Sequence, residues 1–228
     1  MLFKKGKSQS QNYLVFFFLK QTDGMKFPLL FCVLFAQVGL ISLLTYSVHV
    51  TEPLDLIQLF NTSQSSVDDE IELLAALDFS GVNLPAPLGT LENTTCAPFR
   101  GVLHGQGHKI RGVFMNNSGN VLYKHAGLFC GLENARIDDL AIDSSCFFSG
   151  EFCGALSVNA TKSLTLVNVT NSANANGVLG VGMIGDVEQS PSRGIVVFKN
   201  CVNEGNITGT YDAGGFVGLA LGNQNTEL

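Results

Sequence analysis

The chain has no tryptophan and few charged residues, which make up 14% of its 228 residues. Five of its 13 basic residues, all lysines, lie in the first fifty positions beside a single acid, Asp23. The remainder therefore carries 8 basic and 18 acidic residues. Because an acidic body repels phosphate groups, this balance argues against binding to nucleic acid and to anionic membranes.

The sequence also lacks the usual signatures of metal and redox sites. It contains no Cys-x-x-Cys pair, and His125 has no partner at metal-binding spacing. His104 and His108 are four residues apart, but they would share a face only in a helix, which the glycines between them exclude. We interpret His108 as part of a turn, and we predict no metal site, no cofactor site and no catalytic residue.

The run from Phe27 to Val48 has no charged residue and is long enough to cross a bilayer as a helix. The lysines precede it, so the N-terminus is expected to stay cytoplasmic and the body to be exported. A chain starting at Met25 would have the form of a signal peptide, with small residues such as Ser47 near a cleavage point. Residues 1–48 are thus predicted to be a cytoplasmic tail with a signal peptide or a membrane-inserted anchor. The choices between cleavage and anchoring, and between Met1 and Met25, stay open, as does a buried helix in a soluble protein.

Sequons for N-glycosylation agree with a secreted or cell-surface protein, although a chain rich in Asn and Thr yields some of them by chance. The candidate acceptors are Asn61, Asn93, Asn116, Asn159, Asn168 and Asn206.

Beyond Asp78 the chain repeats itself weakly. Aligning Gly131, Gly154, Gly185 and Gly218 gives steps of 23, 31 and 33 residues. Each of the first three glycines is followed by a short alternating apolar segment, and no helical period is sustained. Short strands that recur at this spacing, with glycine and asparagine at the corners, predict a solenoid in which each repeat forms one coil.

The segment "FRGVLHGQGHKIRGV", with "AGLFCGL", "ARIDDLAI", "KNCVNEGNITG" and "AGGFVG" after it, resembles the Gly-rich repeat of the GLUG type over about residues 97–222. The resemblance implies an all-β fold, a right-handed parallel β-helix as in pectate-lyase-like and adhesin-like extracellular proteins. Two departures are His104, where the family usually has Asp, and Cys130, an extra residue inside Gly-Leu-Phe-Gly.

Two further regions complete the expected organisation. Residues 49–95 are predicted to be a linker with a short N-terminal capping helix, because Ser66 and Asp69 resemble a capping box and Ile71 to Leu77 has helical spacing. Residues 96–228 are predicted to form four or five coils of the solenoid. No polar cap is visible at the end of the sequence, so the solenoid is expected to be truncated there.

Five cysteines lie outside the apolar run, and an odd number leaves at least one thiol unpaired, intermolecular or paired elsewhere. Cys130 and Cys153 occupy the same place before the aligned glycines. On stacked coils they would be about 4.8 Å apart, within reach of a disulfide. The alternative is a ladder of two small buried residues.

Asp138, Asp139 and Asp143 form the only compact acid cluster of the repeats. Adjacent strand residues point to opposite faces, so Asp138 and Asp139 cannot both face one substrate, and a solvated polar coil is favoured over a glycosidase pair. Basic residues are sparse in this region, and no set of acids and bases is expected to share one groove.

These features predict an exported or cell-surface repeat protein that binds glycans or surface proteins without catalysis. Two alternatives stay open. One is a carbohydrate-active enzyme, a polysaccharide lyase or glycoside hydrolase, on the same fold. The other is a structural spacer that holds another part of the protein away from the membrane.

Overall fold

The computed structural model describes residues 47–62, 68–91, 95–120, 124–188 and 194–221. Nearly all of the predicted tail and signal or anchor segment, together with the sequon at Asn93, lies outside these ranges. None of the described residues belongs to a helix that is long and apolar enough to cross a membrane.

The described chain is mostly β structure with one short helix. The helix, α1, spans Pro53–Thr62. The strands are β1 (Ser47–Val50), β2 (Glu70–Leu73), β3 (Leu77–Asp78), β4 (Val102–His104), β5 (Lys109–Arg111), β6 (Phe114–Asn116), β7 (His125–Asp138), β8 (Ala141–Ile142), β9 (Phe147–Val167), β10 (Thr170–Asn171), β11 (Asn174–Glu188), β12 (Val196–Lys199), β13 (Val202–Asn203), β14 (Ile207–Gly209) and β15 (Val217–Leu221).

These strands wind about five turns of a parallel solenoid, as predicted. Every pairing among them is parallel. Hydrogen-bonded side chains on neighbouring coils are 34, 34, 29 and 32 residues apart along the chain. One coil therefore takes about one repeat of the sequence.

Each complete coil has four sides, which we number in chain order. The first side contains β6, the starts of β9 and β11, and β14. The second contains the first part of β7, the middle of β9, the later part of β11, and β15. The third contains β1, β2, β4, the ends of β7 and β9, and β12. The fourth contains β3, β5, β8, β10 and β13.

Apolar side chains from successive coils stack into a continuous core. On the third side, Ile71, Leu103, Ile137 and Leu166 lie opposite one another on neighbouring strands, and all four are fully buried. Burying one such side chain contributes about 1.5–3 kcal/mol. The alternation of inward apolar and outward polar residues is therefore what fixes the strands in this fold.

The helix predicted near Ile71 is wrong, because residues 70–73 form β2. Ile71 and Leu73 alternate with the outward Glu70 and Glu72, and the pairing of β2 with β1 and β4 satisfies its backbone. Two buried residues with a spacing of two suit a strand, and the neighbouring Leu74 is exposed.

The helix is instead α1, where Pro53 occupies the first turn and Asp55 caps it. The Asp55 carboxylate accepts hydrogen bonds from the backbone nitrogens of Thr51 and Glu52, at 3.0 and 3.1 Å. Phe60 is buried against the rings of Phe99 and Phe129, with centroids 5.9 and 5.5 Å away. The helix thus covers part of the core. The solenoid already begins at β1, which lies across the boundary between the predicted signal or anchor segment (1–48) and the predicted linker (49–95).

The glycine alignment is wrong in its first two steps. Gly154 lies opposite Gly127 and Gly182 rather than Gly131 and Gly185, because each of these motifs contains two glycines and the alignment matched the wrong one. The pairings of β9 with β7 and β11 also contain register shifts. Only the last step, from Gly185 to Gly218, agrees with the pairing of β11 and β15. Such shifts add or remove a residue locally and move every later position in the coil.

One corner of the solenoid is built by polar residues, among them two of the asparagines expected at corners. Gln106, Asp139, Asn168 and Asn200 all have left-handed backbone conformations, with φ between 50° and 53°. The Asn168 side chain donates to Asp139 at 2.7 Å and accepts from Asn200 at 3.2 Å. This ladder compensates the cost of the left-handed conformation, which Asn and Asp adopt more readily than other non-glycine residues.

The predicted turn around His108 is confirmed. Its backbone nitrogen donates to the Gly105 carbonyl at 2.8 Å, and Gly107 between them has φ of 74°. Gly105 is needed for a different reason, since a Cβ there would overlap the backbone of Asp139 on the next coil.

Candidate functional site

The disulfide joins Cys96 to Cys130, with Cα atoms 5.7 Å apart. The predicted bond between Cys130 and Cys153 is wrong, because the register places Cys153 opposite Ala126. Cys153 is a free, buried thiol, and burial raises its pKa to about 12. Burial likewise raises the pKa of Cys146 to about 11. Neither thiol is a nucleophile near neutral pH.

Charged side chains collect on the outer face of the third side, around His104. Its Nδ1 lies 2.8 Å from Asp138 Oδ1, and its Nε2 lies 3.2 Å from Glu70 Oε1. Arg136 donates from Nε to the other Asp138 oxygen at 2.9 Å. The imidazole therefore joins three successive coils through two carboxylates.

Other charged and polar groups extend this cluster. Glu72, next to Glu70 on the outer face, contacts His49 at 3.2 Å and accepts a hydrogen bond from Gln106 at 2.9 Å. We call the set of Glu70, Glu72, His104, Arg136 and Asp138 the charged cluster. His104 lies 34 residues after Glu70 and 34 residues before Asp138. This spacing is the only sequence signal that could have revealed the charged cluster.

The ionisation of His104 is set by two opposing effects. Burial alone would lower its pKa, but the hydrogen bonds and negative charges of Asp138 and Glu70 outweigh burial and leave the pKa raised. Both ring nitrogens are engaged in these contacts. The imidazole therefore links coils, and neither nitrogen is free to accept a proton from a substrate without rearrangement.

This contact predicts a pH-dependent stability. Because the folded-state pKa of His104 is raised, its contribution is complete below about pH 6.5 and is lost as the pH rises through the folded-state value. Relative to H104Q, the wild type should lose up to about 1 kcal/mol between about pH 5 and pH 8.5, measured by urea unfolding. An unchanged difference between the two proteins would contradict this ionic role.

H125Q serves as the control for this measurement. Burial lowers the pKa of His125, so this residue opposes folding at acidic pH. Replacing His125 should therefore raise the free energy of unfolding at acidic pH relative to neutral pH, whereas replacing His104 should lower it.

The three aspartates of the acid cluster have separate roles, and Asp138 and Asp139 do not face one substrate. Asp138 contacts His104, whereas Asp139 accepts from Asn168 at the corner. Asp143 accepts from the backbone nitrogen of Ser145 at 3.0 Å, and this bond lowers the Asp143 pKa.

A second ionic group joins one acid to two bases from neighbouring coils. Glu133 is nearly buried and is bound by Lys162, and by Arg100 at 2.8 Å, from the coils on either side. The hydrogen bond from Lys162, followed by that from Arg100, lowers the Glu133 pKa against the effect of burial. Sequence reasoning missed this group because its members are 29 and 33 residues apart.

The outer face of the first side carries no charge on its described strands. Two columns of outward residues run across four coils. One column contains Phe114, Phe147 and Asn174, and the other contains Asn116, Ser149, Asn176 and Thr208. We call these seven residues the uncharged face.

Phe114 is the most prominent residue of the uncharged face, since 69% of it is exposed. Its ring stacks on Phe147 of the next coil, with centroids 5.4 Å apart and an interplanar angle of 21°. Charge returns at the corners on both sides of this face, with Asp143 and Glu204 before it and the ion pair of Lys124 and Glu151, at 2.8 Å, after it. An exposed aromatic ring among amides and hydroxyls is a common feature of binding surfaces.

The sequons differ in how freely their side chains reach solvent. Asn61, Asn116, Asn168 and Asn206 are exposed, and Asn159 is partly buried. The Asn168 amide, however, is held between Asp139 and Asn200 in the corner ladder.

This difference predicts selective N-glycosylation in a host that modifies sequons. Asn116 and Asn206 should be occupied, and Asn168 should not, because a glycan on its Nδ2 would break the ladder. Glycopeptide mass spectrometry measures the occupancy of each site. Full occupancy of Asn168 in folded protein would contradict the ladder.

No group of three or more His, Cys, Asp or Glu side chains among the described residues is arranged to hold a metal ion. No family model, curated protein or solved structure matches the chain.

Proposed function

We propose that the chain is an exported or cell-surface repeat protein that binds glycans or surface proteins without catalysis. The observation that carries this proposal is the uncharged face, which extends over four coils and exposes the ring of Phe114. A rigid side of a solenoid can present such a surface without any conformational change.

Export is supported by several independent features. The Cys96–Cys130 disulfide is of the kind that persists in oxidising compartments. The uncharged run before Ser47 has the composition of a signal peptide or anchor, and the sequons would make the exported body a glycoprotein.

The finer identity of the fold belongs to the same proposal. The glycine-rich sequence supports membership of the GLUG type of repeat, although the pairing of the coils departs from a simple alignment of the glycine motifs. Right-handed winding is expected, because crossovers between parallel strands of one sheet are right-handed in about 98% of cases.

Binding is tested with the full chain on arrays of glycans and on immobilised cell-surface proteins. F114A should weaken binding, and the control I195A should not, since Ile195 is similarly exposed at 67% but lies outside the uncharged face. Equal binding by both variants would exclude this face as the site. No binding to any surface, with the N-terminus retained in a membrane, would favour the structural spacer.

A carbohydrate-active enzyme is the second candidate, and the charged cluster favours it. His104, Asp138 and Arg136 place a titratable group, a carboxylate and a cation on one face. Release of reducing ends or unsaturated products from a polysaccharide, abolished in H104Q, would establish this activity. The engagement of each group by its neighbours makes binding the better-supported function.

A further inference from the structure

We infer that the uncharged face binds a neutral glycan that lies along the solenoid axis; this inference rests on the proposed binding function and names its ligand class. It offers two aromatic rings, three side-chain amides and the hydroxyl of Thr208, while the buried Ser149 hydroxyl is paired with that of Ser118. Amides and hydroxyls both donate and accept hydrogen bonds, as the hydroxyl groups of a sugar require.

The aromatic end of the face suits the flat apolar side of a sugar ring. Phe147 covers one side of the Phe114 ring, while 69% of Phe114 stays exposed to solvent. Covering this ring removes apolar area from water, which favours a ligand with a flat C–H surface.

The charge distribution selects against acidic glycans. The uncharged face holds no cation that could pair with a carboxylate or sulfate, and Lys124 at the neighbouring corner is already paired with Glu151. The acidic balance of the chain beyond residue 50 adds a general repulsion of polyanions. A neutral glycan meets neither obstacle.

The periodicity of the face sets the direction of the ligand. Equivalent positions recur on each coil about 4.8 Å apart, so the distance from the Phe114 row to the Thr208 row is about 14 Å. An oligosaccharide aligned with the axis would meet the same pair of columns at each coil. Its affinity should therefore rise with chain length until it spans all four rows.

The test uses the full chain produced without N-glycans, because the sequon at Asn116 belongs to the face and the one at Asn206 lies beside it. Calorimetry is performed with neutral cello- and manno-oligosaccharides of two to six units, and with polygalacturonate as the acidic probe. Binding of one neutral series, tighter for longer chains, is expected. F114A should weaken it about tenfold, and I195A should leave it unchanged.

Asn176→Asp provides a second variant that keeps the size of the side chain. It replaces an amide by a carboxylate in the centre of the uncharged face, so it should weaken neutral binding by removing a donor, and it should weaken any binding of polygalacturonate at this face further by charge repulsion. Because Asn176 is exposed, this change should leave the fold intact.

Four results would overturn the inference. Polygalacturonate binding as tight as that of the neutral series would contradict the ligand class, as would a neutral affinity that F114A leaves unchanged. Binding to surface proteins alone would also exclude a glycan, while the proposed binding function would stand. Absence of binding to any probe, glycan or protein, would overturn both.

Discussion

Replacing Gly154 with alanine is expected to prevent stable folding of the solenoid. A Cβ at this position would overlap the backbone carbonyl of Ser157 further along the same strand and the backbone nitrogen of Gly185 on the next coil. Neither backbone can move easily, because β9 is paired with β7 on one side and β11 on the other. Overpacking of ordinary side chains costs about 1–3 kcal/mol, and a clash with paired backbone on neighbouring coils should exceed this range.

Gly215 provides the matched control for Gly154. A Cβ at Gly215 meets only the Asn203 side chain, at 3.7 Å, and Gly215 has no left-handed conformation. The G215A variant should melt within a few degrees of the wild type, whereas G154A should lose its cooperative transition in circular dichroism. A cooperative G154A variant with unchanged stability would mean that Gly154 does not face the neighbouring coil as described.

Removing the Cys96–Cys130 disulfide is expected to destabilise the folded protein strongly. The bond closes a separation of 34 residues. A loop of this length corresponds to about 4 kcal/mol in the chain-entropy account of disulfides. The C96A/C130A variant should therefore melt about 10 °C below the oxidised wild type.

Reduction provides the control for this variant. A thiol reductant should lower the melting temperature of the wild type and of C201S, which keeps the disulfide, but not that of C96A/C130A. Peptide mapping without reduction should recover Cys96 linked to Cys130. Recovery of Cys130 linked to Cys153 would contradict the observed register.

Local sequence patterns were sufficient to predict the parallel coils, but not how the coils are aligned. The alternation at 137–142 and 164–169 marks the strands next to the corner between the third and fourth sides. The inward residues of these segments are buried. Register depends instead on contacts about 30 residues apart and on irregularities such as the shift between Gly127 and Phe129. The wrong disulfide partner for Cys130 follows from matching Gly131, rather than Gly127, to Gly154.

The helix and the candidate sites illustrate the same limit. The short segment around Ile71 and Leu73 fits both the helical and the strand period of apolar residues. Only the pairing of β2 with β1 and β4 shows that it is a strand. The charged cluster and the uncharged face both arise from stacking of residues that are far apart in sequence. Exposed Phe114 could not be distinguished from a core phenylalanine until the inward side of β6 was known.

Hydroxyl-radical footprinting of the unglycosylated full chain, with and without a neutral hexasaccharide, tests most directly where the solenoid binds. Oxidation of Phe114 should fall when the oligosaccharide is present, while oxidation of His104 on the charged cluster and of the exposed Ile195 should stay unchanged. Protection of His104 with no protection of Phe114 would contradict binding at the uncharged face and would place the ligand on the third side.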